Sequence, residues 1–413
     1  MKKIQSLKRL SIFIVLLTSV LNQSLAQDTN EKKLQLKFSG FVKSYYWLDS
    51  RQIDGSRDEL LLYYPKKPVL DANGADIHSG LNSNYSAINT RLSLSVKGPQ
   101  LLHADVNAFI EGDFTGVSNS DINGLRLRHA FIRMKWAKDE LLLGQYWHPM
   151  FVPEVFPEVQ AFNTGAPFQP FIRNPQISYK HQFGKLKLEA TLIMQRDNSS
   201  DGPMGRSYIY MQQTGIPNSH LQMSYKTENH TVGLAFDHKA IRPRLASDSN
   251  FRSSELVSSV SWMAYYKYTK DLFSIQLKTI YGQNLTEHLM LGGYAVAHRD
   301  PLTGIETYTP TNHIFVWGGI NYGDQYRFGL FGGYAENLGT TNENIGIYYG
   351  KGTDVKTMFR IAPQFCFTTG PLQLASEIEY TSASMGTPDA KGLINNTKTT
   401  GVFRLLLVAT YVF

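Results

Sequence analysis

Ile88-Asn89-Thr90-Arg91-Leu92-Ser93-Leu94-Ser95-Val96-Lys97 alternates apolar or β-branched residues with polar ones. Ile88, Thr90, Leu92, Leu94 and Val96 occupy one parity, while Asn89, Arg91, Ser93, Ser95 and Lys97 occupy the other. Successive side chains leave opposite faces of an extended strand, so the spacing predicts a strand with one oily and one wet face. The neighbouring segment repeats the scheme, with Ala104, Val106, Ala108, Ile110 and Phe114 against Asp105, Asn107, Glu111, Asp113 and Thr115. Further out, Leu34, Leu36, Phe38, Val42, Tyr46 and Leu48 oppose Gln35, Lys37, Ser39, Lys43 and Tyr45. Leu186, Leu188, Ala190, Leu192 and Met194 likewise oppose Lys187, Glu189, Thr191 and Gln195. No sustained helical spacing competes with this alternation after residue 27.

Counting such segments from residue 34 to the end gives about 16 strands, and an even number is what a closed bacterial barrel requires. The connections alternate in length. Lys97-Gly98-Pro99-Gln100, Ala137-Lys138-Asp139, Phe183-Gly184-Lys185 and Thr369-Gly370-Pro371 are tight, while 49–86, 148–175 and 284–311 are long. Short periplasmic turns alternating with long extracellular loops is the layout of a membrane barrel; a soluble sandwich has no reason for it. The last strand places Phe403, Leu405, Leu407, Ala409, Tyr411 and Phe413 on one face. Pairing of first and last strands would leave no unsatisfied edge facing lipid. The expected fold is therefore all-β, a closed antiparallel transmembrane β-barrel.

Composition agrees. Charged residues are 18%, below the roughly 25% of soluble domains, and the mean hydropathy of −0.26 leaves too few apolar residues for several helical spans. Aromatic residues reach 12%, which argues against disorder. Residues 1–26 read as a cleaved signal peptide: a basic start, an apolar run from Leu10 to Leu21, and Ser24-Leu25-Ala26 as the cleavage site. Residues 27–413 are then the barrel. Lys2, Lys3, Lys8 and Arg9 leave with the leader, so the formal charge of +7 falls by 4 to +3, which gives no charge argument for a nucleic-acid partner. The single Cys366 excludes an intrachain disulfide and a cysteine-built metal site.

Leu125-Arg126-Leu127-Arg128-His129-Ala130-Phe131, followed by Leu141-Leu142-Leu143-Gly144-Gln145-Tyr146-Trp147, resembles outer-membrane porins of Gram-negative bacteria, the DcaP-like trimeric porins above all. Asn89-Thr90-Arg91-Leu92 and the terminal Tyr411-Val412-Phe413 support the resemblance. It implies a 16-stranded barrel, a homotrimer in outer-membrane lipid, and passive uptake of small hydrophilic, often anionic solutes. The long N-terminal heptad region of some members is missing here, so a trimer would rest on barrel walls.

A passive pore needs a charged constriction and no bond-making residue. Segment 148–175 is the candidate: its prolines forbid a central strand, and Met150, Phe151, Val155, Phe156, Phe162, Phe168 and Phe171 suit a loop folded into the lumen. It would present Glu154 and Glu158 to the opening. Opposite stand Lys43, Arg91, Arg126 and Arg128, the last two entering the lumen from one strand and suited to carboxylate or phosphate groups. The competing reading pairs these arginines with Glu111 and Asp113. Ile132, Met134 and Trp136 fall on the former polar parity, so a bulge is expected after Phe131. The excess of Lys and Arg on the wet face predicts a mild anion preference. No catalytic, metal or cofactor motif is found: no phosphate loop, H-E-x-x-H or G-x-S-x-G occurs. A surface adhesin or receptor barrel, and less so an outer-membrane barrel hydrolase, are the alternatives.

Overall fold

The computed structural model describes residues 34–413 apart from Asp197; the leader expected over 1–26 lies outside the described residues. Strands run in chain order as β1 (Gln35–Arg51), β2 (Ile53–Ser56), β3 (Leu61–Pro65), β4 (Ser79–Ser86), β5 (Arg91–Lys97), β6 (Asp105–Asp113) and β7 (Arg126–Lys135). There follow β8 (Asp139–Trp147), β9 (Arg173–Phe183), β10 (Leu186–Ile193), β11 (Asn218–Lys226), β12 (His230–Ile241), β13 (Val257–Lys270) and β14 (Phe273–Gln283). The last are β15 (Gly292–Arg299), β16 (Glu306–Gly323), β17 (Tyr326–Thr340), β18 (Tyr348–Lys351), β19 (Val355–Thr369), β20 (Leu372–Pro388) and β21 (Ile394–Val412).

Each wall strand pairs antiparallel with its neighbours, and β1 pairs with β21 from Phe41↔Val412 to Asp49↔Arg404, which closes the cylinder. β4 and β5 both pair with β1 and form one wall strand broken near Ala87. β2 and β3 form a separate hairpin in the first long loop, and β15 and β18 extend the sheet outside the wall. The wall is therefore a closed antiparallel barrel of 16 strands. Gly40 and Phe413 exchange two backbone hydrogen bonds of 3.0 Å, so the final residue completes the seam.

The outward parity is apolar all round: Leu36, Phe38, Leu92, Ile110, Leu221, Trp262, Ile320, Phe359 and Leu407 are all exposed. A continuous apolar belt of that extent has no place in water and matches lipid. Exposed Phe183, Tyr225, Tyr322, Tyr326 and Tyr411 lie near the short-turn end, where an aromatic girdle belongs. Among the described residues no helix is long and apolar enough to cross a membrane, which says nothing about strands.

The inner parity carries polar side chains, and the apolar core lies inside the cylinder because loops pack there. Leu60, Leu61 and Tyr63 of the first loop join Phe151, Val155, Phe162 and Phe168 of the third, against Trp47, Trp317 and Phe331 of the wall. The phase slip expected after Phe131 is real but lies earlier. Glu111 pairs with His129 and Gly112 with Leu127, so Arg128 is the extra residue. Arg126, Arg128 and His129 are consequently all buried, Leu127 is exposed, and Phe131 shares the parity of Arg133. Phe131 packs there on Tyr146, with ring centroids 5.0 Å apart, and on Phe109 at 5.6 Å.

Candidate permeation pathway

The bulge at Arg128 builds a charged ladder on the inner wall. Arg126 grips Asp113 with Nε at 3.0 Å and Nη2 at 2.8 Å. Arg128 donates to Glu111 at 2.6 Å and to the same Asp113 at 2.8 Å. Arg91 stands 3.9 Å from Glu111 and bonds Asn89 at 3.3 Å. Arg173, which the sequence alternation does not single out, stacks 4.8 Å over Trp147, with Arg128 at 5.7 Å from the same ring. Three guanidinium groups thus share two carboxylates, with Arg173 stacked beside them. The reading that pairs Arg126 and Arg128 with Glu111 and Asp113 describes the geometry. Lys43 lies apart, 5.0 Å over the Tyr45 ring.

Loop 148–172 crosses the interior from β8 to the far wall. Its first turn, Pro149–Phe151, is capped by His148, whose Nδ1 accepts the Met150 N–H at 3.3 Å. Lys278 donates to the carbonyls of Met150 and Phe151 at 3.1 and 2.8 Å. Further along, Gln160 donates its backbone N–H to Glu377 at 2.7 Å and its side-chain amide to Gln364 at 2.8 Å. Gln169 accepts from Trp317 Nε1 at 3.0 Å. Glu158 is held on the far wall by Arg327 at 3.1 Å, Gln276 at 2.8 Å and Lys267 at 3.8 Å. Glu154 remains more open and lies 3.5 Å from Lys187 and 3.9 Å from Lys226. It borders a cavity of about 560 Å³ at the short-turn end, also lined by Arg133, Glu140, Lys180 and Glu189.

Arg360 joins this loop to the first one. Its Nη1 donates to Ala166 O at 2.8 Å, its Nη2 to Leu62 O at 2.9 Å, and its Nε to Thr381 Oγ1 at 2.8 Å, with Glu379 at 3.0 Å. Nearby, Arg404 holds Asp49 through two bonds of 2.7 Å.

No protein-family model matches the chain, and no curated protein sequence matches it. Solved structures do. The outer membrane channel DcaP of Acinetobacter baumannii superposes with a TM-score of 0.67 over 94% of this chain and 100% of that one, at 17% identity. The chain has the fold of the DcaP channel. The in-vitro folded outer membrane protein OmpT of Vibrio cholerae, in its trimer form, follows with a TM-score of 0.55 at 9% identity over 92% of this chain and 100% of that one.

Within this DcaP-like barrel, five of the eight residues singled out from sequence come together: Arg91, Glu111, Asp113, Arg126 and Arg128. Glu154 and Glu158 lie on the inward loop but face different partners, and Lys43 stands outside the ladder. The hairpin of β2 and β3, which brings Leu60 to Tyr64 inside, escaped detection because Leu60-Leu61-Leu62-Tyr63-Tyr64 is a short apolar run without alternation. Asp49 sits on the inner parity two residues after Trp47, a signal that was present.

Proposed function

We propose that the protein is an outer-membrane channel through which small hydrophilic solutes, anions somewhat in preference, diffuse passively. The observation that carries this reading is a closed wall, apolar outside, whose inner face bears a ladder of Arg91, Arg126 and Arg128 with Glu111 and Asp113, and Arg173 beside it. Loop 148–172 is the constriction, and the paired arginines of the inner wall contribute to the field that solutes meet there. Glu154 tempers the positive field beside Lys187 and Lys226. No step of this function makes or breaks a bond, and no enzyme activity is proposed.

The protein reaches the outer membrane of a Gram-negative bacterium after removal of its leader, with the short turns in the periplasm. It works as a homotrimer packed wall to wall. The likeness to the trimer form of OmpT and the apolar belt support this reading. Proteoliposome swelling is the test: small sugars and small organic anions should enter liposomes carrying the folded protein at rates that fall with solute size. Liposomes that stay impermeable to both would overturn it.

A further inference from the structure

We propose that His148, with His288 packed against it, is an acid-operated clasp that holds loop 148–172 inside the barrel at neutral pH and releases it on protonation. The proposal rests on reading that loop as the constriction.

Both ends of the loop converge on this spot. The His148 N–H donates to Ile172 O at 3.0 Å, and the Phe171 N–H donates to His288 O at 3.0 Å. The His148 ring caps the first turn through the Met150 N–H at 3.3 Å, and stands perpendicular to His288 with centroids 4.5 Å apart. Only a neutral imidazole has a bare nitrogen that can accept that N–H, because both nitrogens of an imidazolium are donors. Protonation therefore removes the cap and sets two cationic rings face to edge.

The surroundings offer little to neutralise the new charge. From β12, Asp237 lies 3.8 Å from His148 Nε2 but is engaged by His220 of β11 at 3.0 Å. From the loop after β14, Glu287 lies 3.5 Å from His288 but forms a tight ion pair with Lys239 of β12. Asn218 approaches His148 Nε2 at 3.1 Å, and His220 Nε2 is taken by Gln222 at 3.3 Å. Burial, then the neighbouring His288, holds His148 well below the ordinary histidine range, and burial, then Lys239, pushes His288 down to about 3. With the loop released, both rings meet water and take their ordinary value near 6.5. The preference for the docked loop is thus complete above that value and is lost as pH falls below it, by about tenfold per unit for each proton and about 100-fold for the pair.

Cys366 reports on the loop without reference to conduction. It is the chain's single thiol, buried, with Gln160 of the docked loop 2.8 Å from its Sγ. Labelling of the folded protein with dithiodipyridine, which attacks thiols in acid, should accelerate as pH falls from neutral, by about 100-fold per unit over the steepest part once normalised to a free thiol. His288→Gln should reduce that to about tenfold per unit, and His148→Asn with His288→Gln should flatten it. A wild-type rate without pH dependence would overturn the clasp whether or not the variants fold, and so would undiminished steepness in the folded double variant. Neither result depends on the protein conducting ions, so the channel reading stands or falls separately.

Discussion

Replacing Arg360 with methionine should unfasten two loops at once. Its guanidinium donates to Ala166 O at 2.8 Å in the third loop and to Leu62 O at 2.9 Å in the first. Hydrogen bonds from a charged donor contribute about 1.5–3 kcal/mol each, so the two loops together lose about 3–6 kcal/mol of docking. Even the lower figure shifts their docking equilibrium by more than about 100-fold. The β19 backbone keeps its pairing with β17 and β20, so the wall itself should survive. The same substitution strands Glu379, 3.0 Å from the lost guanidinium, and breaking a buried pair costs about 3–5 kcal/mol on its own account. Arg360→Met combined with Glu379→Gln removes that second effect and leaves the first. Single-channel recording in planar bilayers should show larger and noisier conductance for both the single and the double variant, with the heat-shifted gel band of a folded barrel retained. Wild-type conductance and noise in the folded double variant would refute the tether.

Arg126→Ala with Arg128→Ala should shift the reversal potential in a salt gradient away from the anion side and, by stranding Asp113, lower stability by about 3–5 kcal/mol in denaturant titrations; unchanged selectivity would make these side chains purely structural. Gly144→Ala should impair refolding, because φ is +129° there and a Cβ would stand 2.3 Å from Ala130 O, whereas Gly332→Ala, with open space around it, should refold like the wild type. Deleting Phe413 removes two seam hydrogen bonds to Gly40, about 1–3 kcal/mol, and should lower the temperature at which the folded gel band disappears.

Sequence alternation carried the wall because lipid and water impose opposite demands on the two faces of every strand. Leu92 to Lys97, Leu186 to Ile193 and the terminal Val402 to Phe413 follow the alternation because each side chain faces either lipid or the lumen, whereas Ile88, expected on the outward parity, is buried in the interior core where the wall strand breaks near Ala87. Where a strand is covered by a loop instead, the code weakens. Met150, Phe151 and Phe168 announced an inward segment by being too apolar for water, but which wall they reach is set by Lys278, Trp317 and Arg360, more than 100 positions away along the chain. The bulge expected after Phe131 lies at Arg128 because Phe131, although aromatic, faces inward onto Phe109 and Tyr146. The residues of the ladder were legible as types and parity. Parity alone leaves their bidentate pairing open, and Arg173 carries no signal because the alternation in the sequence begins only at Gln176, three residues into the strand.

Recording from the purified, folded protein in a planar bilayer with unequal salt on the two sides distinguishes an open, selective pore from a sealed barrel. The account predicts stable ion steps and a reversal potential displaced towards chloride. A folded, membrane-inserted barrel that passes no current, or one selective for cations, would contradict it.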